Sequence, residues 1–133
     1  MATDIAAKGE AYMMRGDSMH YDSKAHRTYR PTPYSGITYA PLWHNDQGGG
    51  HTLLRLETGA SLPPHRHPGW EQIHVIEGRL QVNDHILEPG DHLILAASEA
   101  HRVTALAASI YLALSERAGA EMLDGTTIDT EKA

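Results

Sequence analysis

The sequence has no cysteine and no phenylalanine, and only two tryptophans. Without cysteine there is no disulfide framework, no thiolate zinc site, no thiol nucleophile and no cysteine redox switch, so any bound metal is held by nitrogen and oxygen. Without phenylalanine the core falls to Leu, Ile and Ala. Long apolar runs are missing as well. The longest near the middle, Leu93-Ile94-Leu95-Ala96-Ala97, is far short of a bilayer span, and Met1–Glu10 has no stretch of signal-peptide length. Positive charge is scarce: 11 Lys and Arg stand against 17 Asp and Glu, and the resulting net charge of −6 repels nucleic acid and anionic membrane. These deficits predict a cytoplasmic protein with neither a nucleic-acid nor a membrane partner. Histidine, by contrast, is abundant, at ten in 133 residues. A chain of that length is one domain, and its 41% hydrophobic residues are enough to bury a core.

Residues 1–35 mix Gly, Asp, Ser, Tyr and Arg without periodicity, and Pro31-Thr32-Pro33 forces extended or turned backbone, so this stretch reads as an N-terminal arm. Residues 116–133 are acidic and rich in Thr, Gly and Ala, and read as a C-terminal tail. Between them, over 36–115, short aliphatic and β-branched runs are cut by Gly, Pro, Asn and Asp at hairpin spacing. The runs predict strands at Ile37–His44, Thr52–Glu57, Trp70–Glu77, Leu80–Val82, His85–Leu87, His92–Leu95, Arg102–Ala105 and Ser109–Leu114. Pro63-Pro64 reads as a separator, and Asn83-Asp84 as a two-residue hairpin turn. No segment carries a long helical stripe. The expected fold is all-β, a small antiparallel barrel or jelly roll with few or no helices.

The chemistry concentrates in Gly59-Ala60-Ser61-Leu62-Pro63-Pro64-His65-Arg66-His67-Pro68-Gly69-Trp70-Glu71. In extended backbone His65 and His67 project to one side, close enough to share an ion, and Glu71 has the same parity. Pro68-Gly69 bends the chain between them. Two imidazoles and a carboxylate suit a divalent transition metal, Zn, Fe, Mn, Ni or Cu, with coordination positions left open. A lone His-x-His arises by chance about 0.7 times in this composition, but the spacing from Gly59 through His65, His67 and Glu71 to Gly78 arises only about 4 times in 10,000.

That spacing resembles the first signature of the cupin superfamily, G-x5-H-x-H-x3–4-E-x6-G. The second, G-x5-P-x-G-x2-H-x3-N, is matched at Gly90 and His101, while Ala96, Ser98 and Ala105 replace its proline, second glycine and asparagine. The resemblance implies a small β-barrel with one metal held by His65, His67, Glu71 and His101. More narrowly, Tyr39–His44 and Leu53–Gly69 are similar to the cupin domain of ChrR-like anti-sigma factors. Those proteins carry a separate helical, cysteine-ligated zinc domain that contacts the sigma factor. This chain lacks room for it and lacks the cysteines, which argues against a complete sigma inhibitor. Other cupins with this look act as dioxygenases on hydroxylated aromatic ketones.

The expected function is therefore a metal-dependent, dioxygenase-like oxidoreductase acting on a small aromatic or oxygenated molecule. The alternative is a non-catalytic zinc module with a structural or sensing role. Glu71 is also a candidate proton shuttle. Trp70 either walls a pocket for a planar substrate or simply packs, and Arg55 either clamps an anion at the barrel mouth or faces solvent. Tyr39 either lines the substrate site or covers the barrel. His74 has the opposite parity to Glu71, while His85 and His92 flank turns; all three read as surface groups. His44 and His51 bracket Gly48-Gly49-Gly50, which is either a lid hinge or a plain connection. A homodimer is expected, with the arm free to pair with a neighbour's sheet edge.

Overall fold

The computed structural model describes residues 12–13 and 19–124. Twelve strands appear in these residues: β1 Tyr12–Met13, β2 Arg30–Pro31, β3 Ile37–His44, β4 Gly48–Leu56, β5 Ser61–Arg66, β6 Glu71–Glu77, β7 Leu80–Val82, β8 His85–Leu87, β9 His92–Leu95, β10 His101–Ala105, β11 Ser109–Arg117 and β12 Glu121–Met122. A single 3-10 turn, Lys24–His26, is the only helical element among them. No helix among the described residues is long and apolar enough to cross a membrane.

The strands form two sheets. One runs β1-β3-β4-β11-β6-β9 with β2 also on β3, and the other runs β12-β5-β10-β7-β8. Every pairing is antiparallel except that of β1 with β3. Among the described residues no ladder joins the sheets into one closed barrel; they are bound by the core between them. From the first sheet come Ile37, Leu56, Ile73, Val75, Leu95 and Tyr111, and from the second Leu80, Val82, Leu87 and Val103. Each such aliphatic side chain contributes about 1.5–3 kcal/mol by leaving water. Alternation selects the set: in β6, Glu71, Ile73 and Val75 are buried while His74 and Ile76 are exposed.

Three segments differ from the sequence reading. Pro63 and Pro64, taken as a separator, lie inside β5. Proline cannot donate to a ladder, and β5 is paired to β10 only through Ser61, Leu62 and His65, with a register shift that leaves both prolines out of the pairing. Gly48–Gly50 opens β4 rather than hinging a lid. A Cβ on Gly49 would fall 2.2 Å from the Glu116 carbonyl oxygen, so the strands touch backbone to backbone there. The boundary at 115 cuts through β11, which continues to Arg117, and residues 121–122 add a strand beside β5. In the arm, β1 pairs with the chain's own β3. The rest of residues 1–18, and residues 125–133, lie outside the described residues.

The turns hold as read. Asn83 takes φ +52° between β7 and β8, and its side chain also bridges to Ala100 and Arg102 at the start of β10. Gly78 takes φ +87°, and a Cβ there would meet Ser109 Oγ at 2.2 Å, so only glycine fits this end of the signature.

Candidate metal centre

Three strand ends deliver the four candidate ligands to one place. His65 lies near the end of β5 and His67 just past it, Glu71 opens β6 and His101 opens β10. Cross-strand register does the rest: His101 sits directly opposite His65. The ring centroids of His65 and His101 are 4.1 Å apart, those of His65 and His67 5.1 Å, and those of His67 and His101 5.5 Å. One potential ligand atom from each of the four residues lies within 4.8 Å of every other. His65, Glu71 and His101 are buried, and His67 is half-buried.

The loop before His101 keeps its shape despite the missing signature glycine. Ser98, in that glycine's place, adopts φ +67°, and its N–H donates to the His67 carbonyl at 2.8 Å. The backbone makes the turn that glycine makes without strain, and ties the His101 loop to the end of the segment carrying the other two imidazoles.

The outward ring nitrogen of every histidine is committed to backbone. Nδ1 of His65 faces the Pro63 carbonyl at 2.8 Å, that of His67 the Gly119 carbonyl at 2.8 Å, and that of His101 the Glu99 carbonyl at 3.3 Å. A carbonyl only accepts, so Nδ1 carries the proton and a neutral ring turns a bare Nε2 lone pair inward, the arrangement that metal-bound histidines adopt. With both rings neutral, His67 Nε2 and His101 Nε2 stand 2.7 and 3.3 Å from Glu71 Oε1, lone pair against carboxylate, a repulsion that a proton on Nε2 or a metal ion relieves. All three atoms are buried without a hydrogen-bond partner. Buried polar atoms left unpaired cost about 1–3 kcal/mol each, and a cation among them removes the cost and the repulsion together. The donor set of three imidazole nitrogens and one carboxylate oxygen fits one divalent transition metal.

Titration follows the same geometry. Burial, with the neighbouring His101 next in weight, lowers the His65 pKa to about 4, so this ring stays neutral. Burial also works against charge on His67, but the Glu71 carboxylate outweighs it and His67 holds a proton more tightly than a free imidazole. Burial would raise Glu71, yet His101 and His67 pull it down to about 2. Tyr111, 2% exposed, has its pKa raised by burial and then by the Glu71 charge, so its phenol stays protonated.

His65, His67 and Glu71 form part of the wall of a cavity of about 240 Å³. Around them the wall is largely apolar, with Leu54, Leu62, Ala113 and Met122 beside the phenols of Tyr34, Tyr39 and Tyr111. Tyr39 is thus in the wall. Trp70 and Arg55 are not, for reasons of alternation: Trp70 precedes the inward Glu71, and Arg55 lies between the inward Leu54 and Leu56. Trp70 is fixed through its backbone N–H, which donates to Glu116 Oε1 at 3.1 Å. Arg55 is exposed on the outer face, its guanidinium carbon 3.9 Å from the Tyr29 ring centroid. His74, His85 and His92 are exposed, and Trp43 Nε1 donates to His51 Nδ1 at 2.8 Å. Sequence reasoning missed Tyr111, though its alternation with Ala113 and Ser115 in β11 was there to be read. It also missed Gly119 and Met122, whose contacts with the site depend on a chain reversal after β11.

With that geometry in place, comparison with known proteins assigns the family. The profile of the ChrR cupin-like domain family matches residues 17–118. The chain belongs to this family. This cupin has no significant match among curated proteins. Its fold is similar to an acetylacetone dioxygenase from Acinetobacter johnsonii (TM-score 0.70, 15% identity, covering 87% of this chain and 86% of that one). It is also similar to the polyketide cyclase RemF from Streptomyces resistomycificus (TM-score 0.66, 16% identity, 86% and 91%). A third likeness is to the Rhodobacter sphaeroides complex of SigE with the anti-sigma ChrR (TM-score 0.60, 21% identity, 71% and 52%). At these identities the similarity is one of fold.

Proposed function

We propose that this cupin is a metal-dependent oxidoreductase of the dioxygenase type, acting on a small oxygenated or aromatic molecule held in the cavity beside the metal. The observation that carries the reading is that three of the four ligands form part of the wall of a mostly apolar cavity. A purely structural metal is enclosed by its ligands, whereas here the ligand cluster faces space that a molecule can enter. At about 240 Å³ that space lies below the range of drug-sized sites and suits a small substrate.

His65, His67, Glu71 and His101 would hold the ion, which when redox-active supplies electron transfer between substrate and dioxygen. The chain's own residues do the remaining work. The apolar wall keeps water from the reacting atoms, the phenols of Tyr39 and Tyr111 contribute polar contacts for a substrate oxygen, and the carbonyls of Pro63, Gly119 and Glu99 keep the imidazoles in the right tautomer. Glu71 acts as a ligand. A dioxygenase places both atoms of O₂ in its product, so the test is oxygen uptake by protein loaded separately with Fe²⁺, Mn²⁺, Ni²⁺ and Zn²⁺ and offered hydroxylated aromatic ketones and diketones. The expected result is uptake with a redox-active metal and none with Zn²⁺.

The likeness to the ChrR complex supports a second reading, a zinc-binding module that senses a small molecule without turning it over. Stoichiometric zinc in the isolated protein, with ligand binding but no oxygen uptake under any metal, would decide for it.

A further inference from the structure

The cavity beside the metal centre is lined, among the described residues, by Pro31, Pro33, Ile37, Leu54, Leu62 and other uncharged side chains, and by a single formal charge, that of Glu71. Among the described residues no lysine or arginine reaches the wall. The polar groups it does offer are neutral: the hydroxyls of Thr52 and Ser115 and the three tyrosines. Thr32 Oγ1 is already committed, donating to the Ile37 carbonyl at 2.8 Å and accepting from the Tyr34 N–H at 3.1 Å. Tyr34 Oη is buried and has no hydrogen-bond partner.

Charge arithmetic then restricts what can enter. A divalent ion, three neutral imidazoles and one carboxylate leave the centre at +1. A neutral ligand leaves it there, and a singly charged oxygen ligand brings it to zero. A doubly charged ligand leaves an uncompensated negative charge in an apolar cavity, which is heavily disfavoured in low dielectric. Sites built for dicarboxylates meet the second carboxylate with arginine or lysine, and the described residues of this wall supply none.

We propose that this cavity selects its ligand by charge, admitting small neutral or singly anionic oxygen chelators and rejecting dianions. The proposal rests on the reading that the metal keeps open positions facing the cavity, and it narrows the substrate class within that reading. Neutral hydroxyls fix orientation without adding charge, and the unpaired Tyr34 hydroxyl is the group on this wall most in need of a ligand oxygen.

The test uses Zn²⁺-loaded protein, so that no redox turnover consumes the ligand, and calorimetric titration with two flat chelators that close rings of the same size: tropolonate, a monoanion, and oxalate, a dianion. Oxalate is the smaller, so exclusion by size works against the expected result. Referred to the affinity of each ligand for aqueous Zn²⁺, tropolonate is expected to be favoured over oxalate by about 100-fold, the equivalent of roughly 3 kcal/mol. Thr52→Lys, which puts one cation in the wall, is expected to recover about tenfold of oxalate binding, and Thr52→Gln, which adds bulk without charge, none. Equal or preferential binding of oxalate by the unaltered protein overturns the proposal, whether or not Thr52→Lys folds. Oxalate binding that rises equally in Thr52→Lys and Thr52→Gln also overturns it. If neither chelator binds while zinc is stoichiometric, the open-site reading fails and takes this proposal with it. If tropolonate is selected but no metal form consumes oxygen, the oxidoreductase reading fails and charge selection stands.

Discussion

Ser98 carries a backbone conformation that its side chain disfavours. A non-glycine residue at φ +67° costs about 1 kcal/mol relative to glycine, and this one persists because its N–H is bonded to the His67 carbonyl. Ser98→Gly is therefore expected to raise the denaturation free energy by roughly 0.5–1 kcal/mol, measured by urea unfolding, with metal content unchanged. A loss of stability would mean that the hydroxyl has a role the strain argument omits. The histidines make a second prediction, for metal-free protein. His65 has an ordinary value of 6.5 and a folded value of about 4, so between these limits the unfolded chain binds the extra proton. Its contribution to stability is complete above pH 6.5 and is lost as the pH falls toward 4. His67, whose pKa is raised, has the opposite sign: its contribution is complete below 6.5 and fades as the pH climbs through its folded value. Urea midpoints across this range should fall on the acid side, and His65→Asn should flatten that limb. An unaltered acid limb in the variant would show that another group controls it.

Among the elements, the segment from Glu116 to Met122 does more than its composition suggested. Glu116 grips Trp70 twice, its N–H donating to the Trp70 carbonyl at 3.1 Å and its Oε1 accepting the Trp70 N–H at 3.1 Å. Gly119 accepts from His67 and Met122 closes the cavity. The end of β11 and all of β12 thus position the loop between two ligands without supplying one. Outer contacts of this kind are worth about 10–100-fold in metal affinity. Glu116→Ala is expected to weaken zinc binding by about tenfold, read by competition with a chromophoric chelator, and Glu116→Gln, whose amide oxygen can still accept, to recover most of it. Equal losses in both variants would attribute the effect to charge instead of the hydrogen bond. The prolines of β5 and the glycines of β4 misled sequence reasoning for one reason: both residue types break isolated strands, and whether they break this one depends on which ladder positions the neighbouring strands leave unused.

For the whole molecule, the metal joins the two sheets. His65 and His101 come from one sheet, Glu71 from the other, and His67 from the connection between them. An ion held by all four cross-links the sandwich at one end in the folded state only. At a free metal concentration 100 times the dissociation constant this adds about 2.7 kcal/mol, on the order of 10 °C in melting temperature for a domain of this size. Chelator should lower the melting temperature by that order and zinc should restore it, while His67→Ala should respond weakly to either. A melting temperature indifferent to chelator, with metal content shown to be removed, would mean that the ion does not couple the sheets.

Strand alternation and turn chemistry are local, and the sequence alone determined them: the central strands, the Asn83 turn, the aliphatic core and the spacing of His65, His67 and Glu71 are all set by the chain's own periodicity and turn residues. The absence of cysteine likewise determined the kind of metal site before any fold was known. What only the tertiary structure decided is where distant stretches meet. Register across β5 and β10 brought His101 to His65, the reversal after Arg117 brought the Gly119 carbonyl to His67, and the packing of the arm against the first sheet put Tyr34 in the cavity wall. These depend on pairing between residues far apart in the chain, and a one-residue change of register would turn each side chain to the opposite face.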